Sequence, residues 1–145
     1  TQVTVIRFPS IFGKNNPAGI AKLYLKLAKK GEDIEVFSNG NRYRNLIHVN
    51  SAIDILYRVF LRRYKLSKYE IFLAGSSDSL TMLNIAKIVV KMVRSSSKVV
   101  PVDRFPPSDF DVHIDTSKTE RILGFKPKSL EDGLKKYIEE EYEKI

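Results

Sequence analysis

The chain has no cysteine, no tryptophan, two methionines and two histidines, His48 and His113. The first absence excludes disulfides and thiolate metal sites, and it suits a reducing compartment such as the cytoplasm. Two isolated histidines fall short of the usual zinc ligand sets. Long apolar runs are missing too: no stretch approaches the ~20 residues that cross a bilayer. The opening TQVTVIRFPSIFG lacks the charged-then-apolar pattern of a secretory leader. Glycine is scarce, and the seven present never fall in a Gly-x-x-Gly-x-x-Gly spacing. No internal repeat or low-complexity linker interrupts the 145 residues.

What is there has a globular balance. Hydrophobic residues make up 43% and charged residues 29%, enough to bury a core in one lobe spanning residues 1–145. Lysine and arginine (25) outnumber aspartate and glutamate (17), for a net charge of +8 and a pI near 9.6. Such a balance favours anionic partners: nucleic acid, phosphate-bearing small molecules or acidic surfaces. The basic residues do not form one arm. KLYLKLAKK and LRRYKLSK lie on helical patterns, where lysine and arginine usually solvate an outer face.

Along the chain, VTVIRF reads as a strand buried on both faces, and PSIFGKNNPAG as a loop. Ile20, Leu23, Tyr24 and Leu27 recur at helical spacing, with Gly31 as the stop. IEVFSNGNRYRNLIHV predicts two short strands around an SNGN turn. Ser51 stands where a helix N-cap belongs, ahead of an inward face of Ile53, Leu56, Tyr57 and Phe60. YEIFLAG is a further strand. Thr81 caps a helix with Ile85, Ile88, Val89 and Met92 inward. A short helix from Thr116 to Ile122 ends on Gly124, and a last helix from about Leu130 turns Leu130, Leu134, Tyr137 and Ile138 to the core. Alternating strand and helix signals give an α/β class.

Four segments in order carry a resemblance: VTVIRFPSIFG, RNLIHVNSAIDILY, YEIFLAGSSDSLTMLNIAKIV and DTSKTERILGFKPKSLEDGLKKYI. Together they resemble the back half of NAD-dependent sugar-nucleotide epimerases and dehydratases, within the extended short-chain dehydrogenases. The family shows Leu-Arg-x-x-x-x-Tyr-Gly-Pro, Arg-Asp-x-Ile-x-Val-x-Asp, and Asp-x-Ser-Lys followed by Leu-Gly-Trp-x-Pro. The resemblance implies the C-terminal part of a Rossmann-type enzyme: the last sheet strands plus a small α/β substrate-binding lobe. It also implies a missing front half, which in the family holds the glycine-rich pyrophosphate loop and the catalytic Tyr-x-x-x-Lys pair. Tyr64 to Lys68, YKLSK, matches that pair by letter, but after the strand that holds Arg7 rather than before it. It is read as coincidence.

The resemblance further implies site residues. Phe8 and Pro9 would border the nicotinamide of NAD, and Ser10 (often Asn in the family) would offer its hydroxyl to a nucleoside-diphosphate sugar. Arg44 matches the arginine that binds the diphosphate, with Asn45 and Ser51 where the family has aspartates. Phe37 would lie along the nucleotide base, with Ile20 a second wall of that pocket. Arg104 and Asp109, in DRFPPSDFD, would clamp phosphate and hydroxyls, with Asp111 an equal rival to Asp109. Plain alternatives stand beside these: Arg42 and Arg44 as a solvated strand edge, Phe37 as core, Ser10 as an ordinary turn. His48, between Ile47 and Val49, is read as structural, and Leu123 to Pro127 as a helix stop.

The expected function is therefore the nucleotide-sugar-binding half of an NAD-dependent epimerase or dehydratase, inactive alone, from a parent that is usually a homodimer. Two other readings compete: a non-catalytic nucleotide-binding or interaction module, and a basic nucleic-acid-binding domain. Against the last, no nucleic-acid motif is present and the basic residues are dispersed. No membrane partner is expected.

Overall fold

Each of the first three helices carries a local signal at one end: Gly31 stops the first, and side-chain caps start the second and third. The computed structural model describes residues 1–105 and 110–142. It opens with β1 (Val3–Arg7) and β2 (Ser10–Phe12), then α1 (Ile20–Lys30). Gly31 ends α1 in the left-handed region, φ 70°, and returns its N–H to the Ala28 carbonyl. β3 (Ile34–Val36), a 3₁₀ turn at Ser38–Gly40, β4 (Tyr43–Arg44) and β5 (Leu46–His48) lead into α2 (Val49–Arg62). β6 (Tyr69–Leu73), β7 (Leu80–Thr81) and α3 (Met82–Met92) follow, then β8 (Val99–Pro101), α4 (Ser117–Leu123) and α5 (Leu130–Tyr142). Thr81 does cap α3: its hydroxyl accepts from the Asn84 N–H at 3.2 Å.

Strand pairing joins distant segments. β1 runs parallel to β6, Val3 opposite Tyr69 through Arg7 opposite Leu73. β2 runs parallel to β5 and β3 parallel to β8, while β4 pairs antiparallel with β7. The two short strands expected around SNGN are present, but they do not pair with each other. β3 finds its partner in β8, Ile34 opposite Val99, and β4 finds its partner in β7. Ser38 and Asn39 take positive φ and fold the turn onto Val102 and Arg104 instead.

Four other expectations are corrected. β1 is not buried on both faces: among the described residues it pairs with β6 alone, and Val3 stays exposed. The cap of α2 is His48, whose Nδ1 accepts from the Asn50 N–H, so Ser51 lies inside the first turn. The inward face of α2 is Ala52 and Ile55; Ile53, Leu56, Tyr57 and Phe60 are all more than half exposed. Leu23 of α1 likewise faces out, and Ala21, Leu25 and Ala28 pack beside Tyr24.

Two hydrophobic cores result. The larger is shared by α1, α3 and α5 with the adjoining strands, through Phe12, Tyr24, Leu25, Ile34, Ile85, Val89, Leu134 and Tyr137. The smaller sits under β6, α2 and α4, around Ile47, Ile55, Phe72 and Leu123. Among the described residues no helix is long and apolar enough to cross a membrane.

Candidate functional site

The ends of β3 and α1 meet at one cavity. Ile20, in the first turn of α1, and Phe37, just after β3, both line a space of about 340 Å³ together with Leu23, Tyr24, Leu27 and Met82. Asp33 and Glu35 add carboxylates to its lining. Phe37 is exposed, so its ring offers a flat apolar surface that a planar ligand can cover. Over that ring lies the Arg104 guanidinium, 5.4 Å from the centroid. Backbone bonds hold the pair together: Ser38 N–H donates to the Arg104 carbonyl at 2.9 Å, and Asn39 N–H to that of Val102 at 3.0 Å.

Arg44 stands on β4, half-buried. Its Nη1 donates to the Tyr43 carbonyl at 3.0 Å and to the Phe110 carbonyl, and the guanidinium lies 5.8 Å from the Phe110 ring centre. Its positive charge also reaches Tyr24. Burial pushes the Tyr24 phenol well above its ordinary value, and Arg44 pulls it back in part. Arg44 itself does not line the Ile20–Phe37 cavity, whereas Tyr24 does. Residues 110–112 lie along β4: Val112 N–H donates to the Tyr43 carbonyl, and Tyr43 N–H donates to Asp111 Oδ1, both at 3.0 Å. Asp111 therefore serves the backbone. Asp109 lies outside the described residues.

Asn45, beside Arg44, is buried and fully used. Its amide nitrogen donates to the carbonyls of Ser76 at 3.1 Å and Asp78 at 2.9 Å, and its oxygen accepts from the Ser76 N–H at 3.0 Å. The amide ties β4–β5 to the loop after β6, and bare Gly75 lets the two approach: a Cβ there would sit 2.7 Å from Asn45 Oδ1. Sequence reasoning saw Asn45 only as a departure from an expected aspartate. Its network joins positions 31 or more residues apart, which no local pattern signals.

The remaining sequence-derived candidates lie elsewhere. Phe8 is half-buried and packs on the smaller core, followed by half-buried Pro9. Ser10 is exposed on β2, opposite Leu46. None of the three lines the Ile20–Phe37 cavity. Tyr24, read from the sequence only as a helix residue, and Met82, which the sequence did not single out, both line it.

A sequence profile of the NAD dependent epimerase/dehydratase family matches residues 1–75. The chain belongs to that family. An uncharacterized protein of Methanocaldococcus jannaschii is 31% identical over 140 residues, covering 91% of this chain and 40% of the relative. A UDP-N-acetyl-alpha-D-glucosaminuronate decarboxylase of Bacillus cytotoxicus is 28% identical over 148 residues, covering 94% and 45%. The chain thus spans two-fifths to just under half of the length of these relatives. Among solved structures, UDP-glucose 4-epimerase of Thermotoga maritima, with UDP-glucose, superposes with a TM-score of 0.80 at 23% identity, covering 97% of this chain and 46% of the epimerase. UDP-glucuronic acid 4-epimerase of Bacillus cereus, in complex with UDP-glucuronic acid and NAD, gives 0.80 at 19%, covering 96% and 46%. The α/β architecture is that of the Rossmann-type epimerases over nearly the whole chain.

The residues present do not by themselves fit NAD. A dinucleotide needs close backbone approach to its pyrophosphate, and no glycine-rich strand-to-helix turn occurs in the sequence. The Phe8 side chain is packed on the smaller core. Among the described residues no cluster of His, Cys, Asp or Glu has the arrangement of a metal site.

Proposed function

We propose that this chain is the nucleotide-sugar-binding part of a longer NAD-dependent epimerase or dehydratase, and that it has no turnover of its own. One observation carries the reading: Phe37, Ile20 and Tyr24 line one cavity, and the Arg104 guanidinium lies over the Phe37 ring, 5.4 Å from its centroid. A nucleotide base needs a flat apolar surface, and a diphosphate needs guanidinium forks that bond in pairs. In this reading the base lies on Phe37 beside Ile20, and Arg104 and Arg44 take the diphosphate. Arg44 uses one nitrogen for the Tyr43 and Phe110 carbonyls, which leaves its other N–H donors for phosphate oxygens. Ser10 then faces the sugar, and Asp109 or Asp111 accepts from a hydroxyl.

The catalytic pair and the pyrophosphate loop would come from the rest of the parent, whose Rossmann half would pair with the open edge of β1 and place NAD against Phe8 and Pro9. The parent is a homodimer in this reading. Holding the sugar against the cofactor is this lobe's contribution to rate, through positioning rather than proton transfer.

The test is a titration of the chain with UDP, dTDP and GDP, followed by residue-resolved NMR. Saturable shifts at Phe37, Arg44 and Arg104 for one nucleotide support the reading and name the base. Shifts absent from all three on a folded chain overturn it. Interconversion of a UDP-sugar by the chain alone, with NAD added, would overturn the claim that it lacks turnover.

A further inference from the structure

We propose that the cavity between the first turns of α2 and α5 binds a phosphate group carried by a small soluble anion. The cavity measures about 540 Å³ and is lined by His48, Ser51, Lys126, Lys128, Gly133 and Lys136. It shares no lining residue with the Ile20–Phe37 cavity.

The wall is rich in donors that have nothing to bond. Among the described residues, the Lys126, Lys128 and Lys136 side chains have no hydrogen bond or ion pair. Three ammonium groups around one space repel each other unless an anion enters. Two carboxylates also line the cavity, and both are committed elsewhere. Asp54 Oδ2 accepts from Arg58 Nε at 2.8 Å, and Asp132 Oδ2 accepts from Ser129 Oγ at 2.7 Å at the start of α5.

His48 forms part of the cavity wall. It is 4% exposed, and its Nδ1 accepts from the Asn50 N–H at 3.3 Å, so in the neutral ring the proton sits on Nε2. That Nε2 is buried and makes no hydrogen bond. Glu140 Oε2 lies 3.4 Å away, but without the alignment a hydrogen bond needs. Nε2 also lies against Gly13, where a Cβ would sit 3.8 Å from it, and neither Gly13 nor Glu140 lines the cavity. The Ser51 N–H, in the first turn of α2, has no intrahelical acceptor and adds a further donor beside it.

Backbone shape keeps the space open. Gly133 brings α5 onto β2 and β5, where a Cβ would sit 3.1 Å from Phe12 Cζ and 3.5 Å from His48 Cβ. Lys128 is held at the rim because its carbonyl accepts from the Ser77 N–H at 2.9 Å. Three unpaired ammonium groups, with Asp54 and Asp132 each engaged through one oxygen, favour a multiply charged oxyanion.

The experiment titrates the ¹⁵N-labelled chain with inorganic pyrophosphate at constant ionic strength. Saturable shifts are expected at the amides of Asn50, Ser51 and Gly133 and at the His48 ring nitrogens. The triple variant Lys126→Gln, Lys128→Gln, Lys136→Gln should weaken binding at least tenfold with an unchanged melting temperature, since all three side chains lack partners in the fold. Parallel titrations with inorganic phosphate and with UDP separate a free anion from a nucleotide as the source. Undiminished affinity in the triple variant overturns the proposal. So do shifts confined to Arg44 and Arg104, or a linear, unsaturable drift of the lysine-bearing helices alike.

Discussion

Asn45 shows how one side chain can set local geometry that its neighbours rely on. Replacing it by aspartate, the residue the family pattern has there, would keep the acceptor for the Ser76 N–H but turn a donor into an oxygen facing the Ser76 and Asp78 carbonyls. Two buried bonds become repulsions, so Asn45→Asp should destabilise the chain by about 3 kcal/mol at pH 7. Urea denaturation checks this, and an unchanged midpoint would mean the loop after β6 holds without the amide. His48 gives a pH signature. Burial lowers its pKa below the ordinary 6.5, with Lys136 and Lys128 reinforcing the shift and Glu140 opposing it. The unfolded chain then binds the proton more readily than the folded one. Stability should rise with pH through the window just below 6.5 and be lost as pH falls through the lowered folded value. His48→Asn retains a capping acceptor but cannot titrate, and should flatten that segment of the stability–pH curve. An equally steep curve in the variant would assign the slope to another group.

Among elements, α2 separates what periodicity can say from what it cannot. The helix itself was legible, since apolar residues recur along VNSAIDILYRVFLR. Its orientation was not. Apolar side chains occur on more than one side of α2, and the sequence reading chose the bulkier set, Ile53, Leu56, Tyr57 and Phe60. The structure buries the small Ala52 and Ile55 instead. α3 and α5 have clear polar faces, and their inward residues were read correctly. The strands divide the same way: β1 and β6 were visible as β-branched, apolar runs, while the pairing of β3 with β8 joins residues 34 and 99, which no short-range signal reports. The exposed face of α2 has a consequence. Apolar residues there contribute little to this chain's own stability and much to its association. The double variant Leu56→Gln, Phe60→Gln should change unfolding free energy by less than about 0.5 kcal/mol, while sedimentation shows less self-association at high concentration. A loss of several kcal/mol would mean the face is covered in the isolated chain.

For the whole molecule, the order of four motifs was enough to identify the family and the α/β architecture, because motif order along a chain survives where single positions drift. The site was less legible. Phe37 and Ile20 line one cavity, and the Arg104 guanidinium lies against Phe37. The part of Tyr24 and the use of Arg44's Nη1 by backbone carbonyls depend on how residues 110–112 lie along β4. That arrangement decides a further outcome. If the nucleotide pocket is preformed and the cofactor site belongs to the rest of the parent, UDP-type ligands and NAD must act differently on this chain. A ligand that binds only the folded state stabilises it by about 2.7 kcal/mol at one hundred times its Kd. For a domain of this size that corresponds to a Tm rise of roughly 5–10 °C. The matching nucleoside diphosphate should produce such a rise, NAD at the same concentration none, and Phe37→Ala should remove most of the nucleotide effect without lowering the unliganded Tm, since the ring is exposed. Equal rises with NAD would place a dinucleotide site within these 145 residues, and a nucleotide rise untouched by Phe37→Ala would move the ligand away from β3, towards the lysine-lined cavity at α2 and α5.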